Sequence, residues 1–146
     1  MNSIKIWNFT IDDHSSTFII AELSANHGWS IENAKEIIKI AAESWANAVK
    51  LQTYTADTMT IDCDLPDFQI NSGTAWDGKN LYQLYGEAYT PWEWHKELKN
   101  YANSLWLELF STPFDETAID FLESIDVPCH KIASFENNDI PLIKKV

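Results

Sequence analysis

Arginine is absent from this chain, and all ten of its basic residues are lysine. No bidentate guanidinium clamp is therefore available, and a bound anion would have to be held by lysine, hydroxyls and backbone amides. Against 22 acidic residues the formal net charge is −12, a balance that argues against a nucleic-acid-binding surface. Cysteine is scarce. Cys63 and Cys129 stand far apart with no CxxC pair, which argues against a disulfide framework or zinc knuckle and leaves two reduced, structural thiols. Long apolar runs are missing as well: the opening MNSIKIWNFTIDDHSS has no signal-peptide h-region, and no later run approaches the length needed to cross a bilayer. A soluble, cytoplasmic protein without membrane contact is the expectation. What is present, 45% hydrophobic residues in 146, suffices for one globular domain with a real core.

Strand and helix patterns alternate along that chain. FIIAEL (18–23) is a compact apolar run, and SIENAKEIIKIAAES (30–44) carries apolar residues at helical spacing behind a capping Ser30. AVKLQT (48–53) reads as a second strand. PWEWHKELKNYANS (91–104) opens a helix on a proline suited to its first turn. LELFS (107–111) and FDETAIDFLESI (114–125) supply a third strand and helix, HKIAS (130–134) a fourth strand, and DIPLIKKV the start of a fourth helix. Four βα units in succession indicate parallel strands and an α/β fold.

Lysine inside an apolar strand needs an anion to face. Lys50 lies in AVKLQTY and Lys131 in HKIASFE, each followed by further polar residues. Glu22, Lys50, Gln52, Ser111, Thr112, Ser134 and Glu136 all fall in the last half of a strand or just beyond it. Barrel enzymes place their chemistry at the carboxyl ends of several strands, whereas a doubly wound dinucleotide-binding sheet shows a glycine-rich turn after its first strand. Here that turn is SANHGWS, with one glycine. A (β/α)8 TIM-barrel type is therefore favoured, with a site for an acidic small molecule. A full barrel takes roughly 250 residues, so residues 1–146 are expected to be about the first half, ending at Val146 without a helix stop signal.

Residues 54–90 interrupt the βα rhythm at a length too great for a plain connection. Asp57, Asp62, Asp64 and Asp67 read as a solvated loop. Trp76, Tyr82, Tyr85 and Tyr89 have polar tips that suit sugar faces and packing interfaces alike, and both readings stand. His27 reads first as a loop hydrogen-bonding residue; His14, His95 and His130 have surface or packing readings.

FIIAELSANH, AVKLQTYTADTMT, WDGKNLYQLYGEAYTPWEWH, FSTPFDETAIDFLESIDVP and KIASFE, in this order and spacing, resemble the N-terminal half of the sialic acid synthase family. The WDGKNLY and PWEWH blocks are most similar to its pseudaminic acid synthase branch. The resemblance implies a barrel enzyme that condenses phosphoenolpyruvate with an open-chain N-acetylated amino sugar, releasing phosphate and giving a nonulosonic acid for bacterial surface glycans. It implies substrate-binding roles for Lys50, Gln52, Thr112, Lys131 and Ser134 and catalytic roles for Glu22 and Glu136. It also implies a divalent metal, manganese or magnesium, whose histidine ligands would lie beyond Val146. A homodimer closed by a C-terminal antifreeze-like domain, absent here, is the assembly it implies, and an isolated half is expected to be inactive. N-acetylneuraminate and legionaminic acid synthases are near neighbours within the class. The alternative outside it is a non-catalytic carbohydrate-binding or assembly module.

Three residues depart from the family pattern. Trp45 and Trp106 occupy helix-to-strand joints, and Trp29 follows Gly28 in a turn, where relatives carry glycine. Tryptophan is strained in the left-handed backbone that glycine accepts there. Folding, rather than the ligand set, is what these three bear upon.

Overall fold

The computed structural model describes residues 3–146. It opens on a small antiparallel hairpin, β1 (Ile4–Ile6) and β2 (Phe9–Ile11), joined by the two-residue loop Trp7–Asn8. No sequence pattern announces this hairpin, because each strand is three residues long and the turn lacks a glycine. Then come β3 (Ile20–Glu22), α1 (Ile31–Glu43), β4 (Ala48–Thr53), α2 (Ala56–Met59), α3 (Leu81–Ala88), α4 (Trp92–Ser104), β5 (Glu108–Pro113), α5 (Glu116–Ser124) and α6 (Ile140–Lys145).

β3, β4 and β5 form one parallel sheet in sequential order. A doubly wound sheet reverses direction and carries helices on both faces. Here α1 and α4 pack side by side over a single face, where Val49, Leu51 and Leu109 meet Ala34, Ile38, Leu98 and Ala102 in one buried cluster. The architecture is an arc of a (β/α)8 barrel, as expected. Every residue of β5, and all of β4 save Gln52, is buried, as parallel strands covered on both faces require.

Local capping sets the helix starts. Ser30 Oγ accepts from the Asn33 amide at 3.2 Å, and Asp115 accepts from the Thr117 and Ala118 amides at 2.7 and 3.2 Å. Pro91 stands at the N-cap of α4, one position earlier than the first turn. The fourth strand is the main correction. HKIAS is reduced to one parallel bridge, Ser111 to His130, with the Lys131 amide donating to the Ser111 carbonyl at 3.1 Å. Only β5 is available to pair with this segment, and the chain then turns to bury Ala133 against Tyr54 and Phe114. Residues 134–136 form a 3₁₀ turn instead.

Residues 54–90 hold α2, a 3₁₀ turn at Pro66–Phe68 and α3, and Asp57, Asp62, Asp64 and Asp67 are all exposed, as a solvated acidic stretch requires. Asp64 accepts from Asn80 Nδ2 at 2.8 Å and Asp57 from the Tyr82 hydroxyl at 2.9 Å. Asp77 gathers the amides of Ser72, Gly73 and Thr74, which hold its carboxyl below the usual carboxylate range. Tyr85 packs edge-on against Tyr54, and Tyr89 against Trp29. Replacing Asp115 with Ala should lower stability by about 1 kcal/mol in urea unfolding, since two amides at the start of α5 lose their acceptor.

Candidate active site

Alternation along paired strands decides which side chains share a face. Because Val49, Leu51 and Leu109 face the helices, Lys50, Gln52, Phe110 and Thr112 face the barrel interior. Register then forms two rows across the carboxyl halves of the strands. Glu22, Lys50 and Phe110 make one; Gln52 and Thr112 make the next. Lys131, one residue past the His130 bridge, extends the second row beside Thr112. Five of the seven residues singled out in the sequence therefore lie on one surface. Ser134 and Glu136 sit beyond it, on the 3₁₀ turn where the chain leaves the sheet.

Lys50 is 5% exposed, and Glu22 Oε1 at 3.3 Å is its ion-pair partner among the described residues. The pair is lopsided, since the Glu22 side chain is 60% exposed. An ammonium has three donors, so this cation is buried with donor capacity to spare. Lys131 is exposed. Thr112 is 2% exposed, and its hydroxyl has no hydrogen-bond partner in the structure. Neither Ser111 nor Thr112 caps the following helix, because Asp115 does. A buried hydroxyl without a partner is uncommon and costly, and this one sits in the row that contains Gln52. Glu136 has its carboxyl raised by burial first and by Asp139 second.

Ser111 points the other way. Its hydroxyl lies 2.7 Å from Thr53 Oγ1, which is 2.8 Å from His95 Nε2; His95 Nδ1 lies 3.1 Å from the Pro91 carbonyl. A carbonyl only accepts, so Nδ1 carries the proton and Nε2 accepts from Thr53. This wholly buried chain ties β4, β5 and α4 together just beneath the inner rows. Burial pushes the His95 pKa down to about 4. His27 is likewise structural: Nδ1 accepts from the Trp29 amide at 3.1 Å, and its ring stands edge-on to Trp94. Sequence reading did not single out the His95 chain, whose only signal was Thr53 and Ser111 at outward-facing strand positions. Glu108 was missed too. It opens β5 on the inner face, with its carboxyl raised by burial, and its i, i+2 relation to Phe110 and Thr112 was the available clue.

Among the described residues no group of three His, Cys, Asp or Glu side chains converges as a metal site, so these residues do not by themselves fit a divalent ion. Cys63 and Cys129 are free. Among the described residues no helix is long and apolar enough to cross a membrane.

The family model described as the NeuB family matches residues 37–146. Pseudaminic acid synthase of Campylobacter jejuni subsp. jejuni serotype O:23/36 (strain 81-176) is 44% identical over 143 residues, covering 98% of this chain and 41% of that protein. Pseudaminic acid synthase of Helicobacter pylori (strain ATCC 700392 / 26695) is 50% identical over 127 residues, covering 87% of this chain and 37% of its own length. The crystal structure of N-acetylneuraminic acid (sialic acid) synthetase from Leptospira borgpetersenii serovar Hardjo-bovis superposes with a TM-score of 0.83 at 28% identity, over 99% of this chain and 45% of that one. The chain spans about two fifths of the length of the curated relatives it matches.

The His95 chain generates a pH prediction. The folded protein holds His95 neutral down to about pH 4, while the unfolded chain protonates it near its ordinary 6.5. Between those values the unfolded state binds the extra proton, so stability should fall as pH falls from 6.5 to 4 and the loss should level off below 4. Urea midpoints measured across that window should show a shallower slope in His95→Gln; an unchanged slope would contradict the assignment.

Proposed function

The chain belongs to the NeuB family, and from that premise we propose that the protein carrying it condenses phosphoenolpyruvate with an open-chain N-acetylated amino sugar to a nonulosonic acid. Pseudaminic acid is the product favoured by the two pseudaminic acid synthases that match this segment at 44% and 50% identity. The observation that carries the site is the inner-face pairing of a buried Lys50 with the unpartnered Thr112 hydroxyl one row further along. Within these 146 residues, which include no arginine, a carboxylate and a phosphate can be met by ammonium and hydroxyl donors, and these are such donors.

Lys50 and Lys131 neutralise the donor, with Thr112 and Ser134 donating to its anionic oxygens. Gln52 faces the sugar. Carbon 3 of phosphoenolpyruvate forms a bond to the sugar aldehyde carbon, whose oxygen takes a proton and becomes a hydroxyl. Water adds at carbon 2, where positive character has developed, and phosphate leaves as the 2-keto group forms. Glu22 and Glu136 stabilise that cation, orient the water and move protons. Burial raises the Glu136 carboxyl, the direction that favours holding a proton. Manganese or magnesium, homodimer formation and a closing C-terminal domain belong to the same proposal for the longer protein.

Lys50→Ala in the longer protein should raise the phosphoenolpyruvate KM by about tenfold or more, the scale of one hydrogen bond to a charged group. Thr112→Val separates site from scaffold. It removes a hydroxyl that has no partner among the described residues, so thermal stability should hold or rise while turnover falls. A drop in stability matching the drop in activity would oppose the ligand role. The 146-residue chain alone should give no phosphate release with phosphoenolpyruvate, manganese and the altrose-derived diacetamido sugar. Turnover above background would refute that.

A further inference from the structure

Among the described residues six non-glycine positions have a left-handed backbone, and four of them are tryptophan: Trp7, Trp29, Trp45 and Trp106, with φ of 48°, 59°, 63° and 64°. Tryptophan is among the residues least suited to this region, because Cβ crowds the following carbonyl and the ring adds bulk. These four are also the exposed tryptophans, with Trp45 86% and Trp106 90% accessible. Trp76, Trp92 and Trp94 are half-buried and have no positive φ. They do identifiable work: Trp92 Nε1 donates to the Tyr54 carbonyl at 3.1 Å and its ring stacks on Phe121, Trp94 abuts His27, and Trp76 lies under the Lys79 ammonium.

Each of the four positions has a geometry for which glycine is the ordinary solution. After α1, the Trp45 amide donates to Ala42 O and the Ala46 amide to Ala41 O; after α4, Trp106 donates to Asn103 O and Leu107 to Ala102 O. Both are Schellman endings, whose left-handed residue is usually glycine. After α5 the same two bonds recur with Asp126 at the left-handed position, a residue that tolerates it. Trp7 is the first of two loop residues in the β1–β2 hairpin and the only one of the two with positive φ, the type II′ arrangement that places glycine first. Trp29 follows Gly28, itself at φ 54°, so two successive left-handed residues precede the Ser30 cap.

One residue type has been placed at four separate glycine geometries and is absent from the left-handed region elsewhere. Independent mutations would not sort the seven tryptophans so cleanly. A codon whose meaning differs between genetic codes would: UGA is stop, tryptophan or glycine depending on the code. We propose that positions 7, 29, 45 and 106 are glycine in the protein made by the cells this gene comes from, and that UGA at these positions is decoded there as glycine. The exposed indoles are then not a sugar platform. The groove of 590 Å³ between the hairpin and the α4–β5 joint, walled in part by Trp7 and Trp106, loses two walls and is no binding site.

The gene should read UGA at 7, 29, 45 and 106 and UGG at 76, 92 and 94. UGG at all seven, or UGA at any of the last three, overturns the proposal. Peptide mass spectrometry of the protein from its own cells should give glycine at the first four positions and tryptophan at the others; tryptophan at the first four is the contrary result. In the longer protein, Trp45→Gly and Trp106→Gly should each shift the folding equilibrium toward the native state by about tenfold, whereas Trp76→Gly should not. Unchanged or lower stability in both would remove the geometric ground of the inference.

Discussion

Parallel register between β3, β4 and β5 places Lys50 opposite Glu22 and Gln52 opposite Thr112, and the candidate site depends on it. A slip of one residue would turn Lys50, Gln52 and Thr112 toward the helices and bring Val49 and Leu51 into the interior. The hydrophobic pattern guards against that slip, because Val49, Leu51 and Leu109 are held in the cluster with α1 and α4. The apolar face thus anchors the polar one. Lys50 can be kept 5% exposed with one exposed carboxylate for a partner only because the strand carrying it is fastened on its other side by packing that does not involve the lysine.

The hydrogen-bonded chain from Ser111 through Thr53 to His95 and the Pro91 carbonyl does the same with polar groups. All its members are buried, and each bond gives a neighbour the partner it lacks. It joins the carboxyl ends of β4 and β5 to the first turn of α4, the level at which Gln52 and Thr112 stand on the opposite face. Trp92 stacked on Phe121 extends this link to α5. The Ser111–Thr53–His95 chain is satisfied, while Thr112 on the inner face keeps an unpartnered hydroxyl, as do the buried Asp115 Oδ2 and His130 Nδ1 nearer α5.

Helix endings govern how the strands are entered. Two of the three Schellman turns deliver the chain into β4 and β5 within a few residues, so the left-handed residue fixes the angle at which each helix gives way to the sheet. Glycine, aspartate and tryptophan differ at such a place in backbone energy, not in contacts. The same absence of a recognisable turn residue at position 7 hid the β1–β2 hairpin from a reading of the sequence. His130 shows the opposite limit: its segment has strand composition, yet it makes one bridge because pairing requires a neighbour as well as a propensity.

Legible in the residues alone were the alternation of strands and helices from β3 to α5, the extent of β4 to the residue, the barrel class, and the polar residues that end β3, β4 and β5. Those properties are local, written in periodicity, caps and apolar runs. Tertiary structure alone decided which of those polar residues share a surface. It turned Ser111 away from Thr112, paired Lys50 with Glu22, buried His95 in a hydrogen-bond chain, and ordered residues 54–90 around Tyr54. Facing and burial are set by pairing between segments tens of residues apart, and no local pattern contains that information.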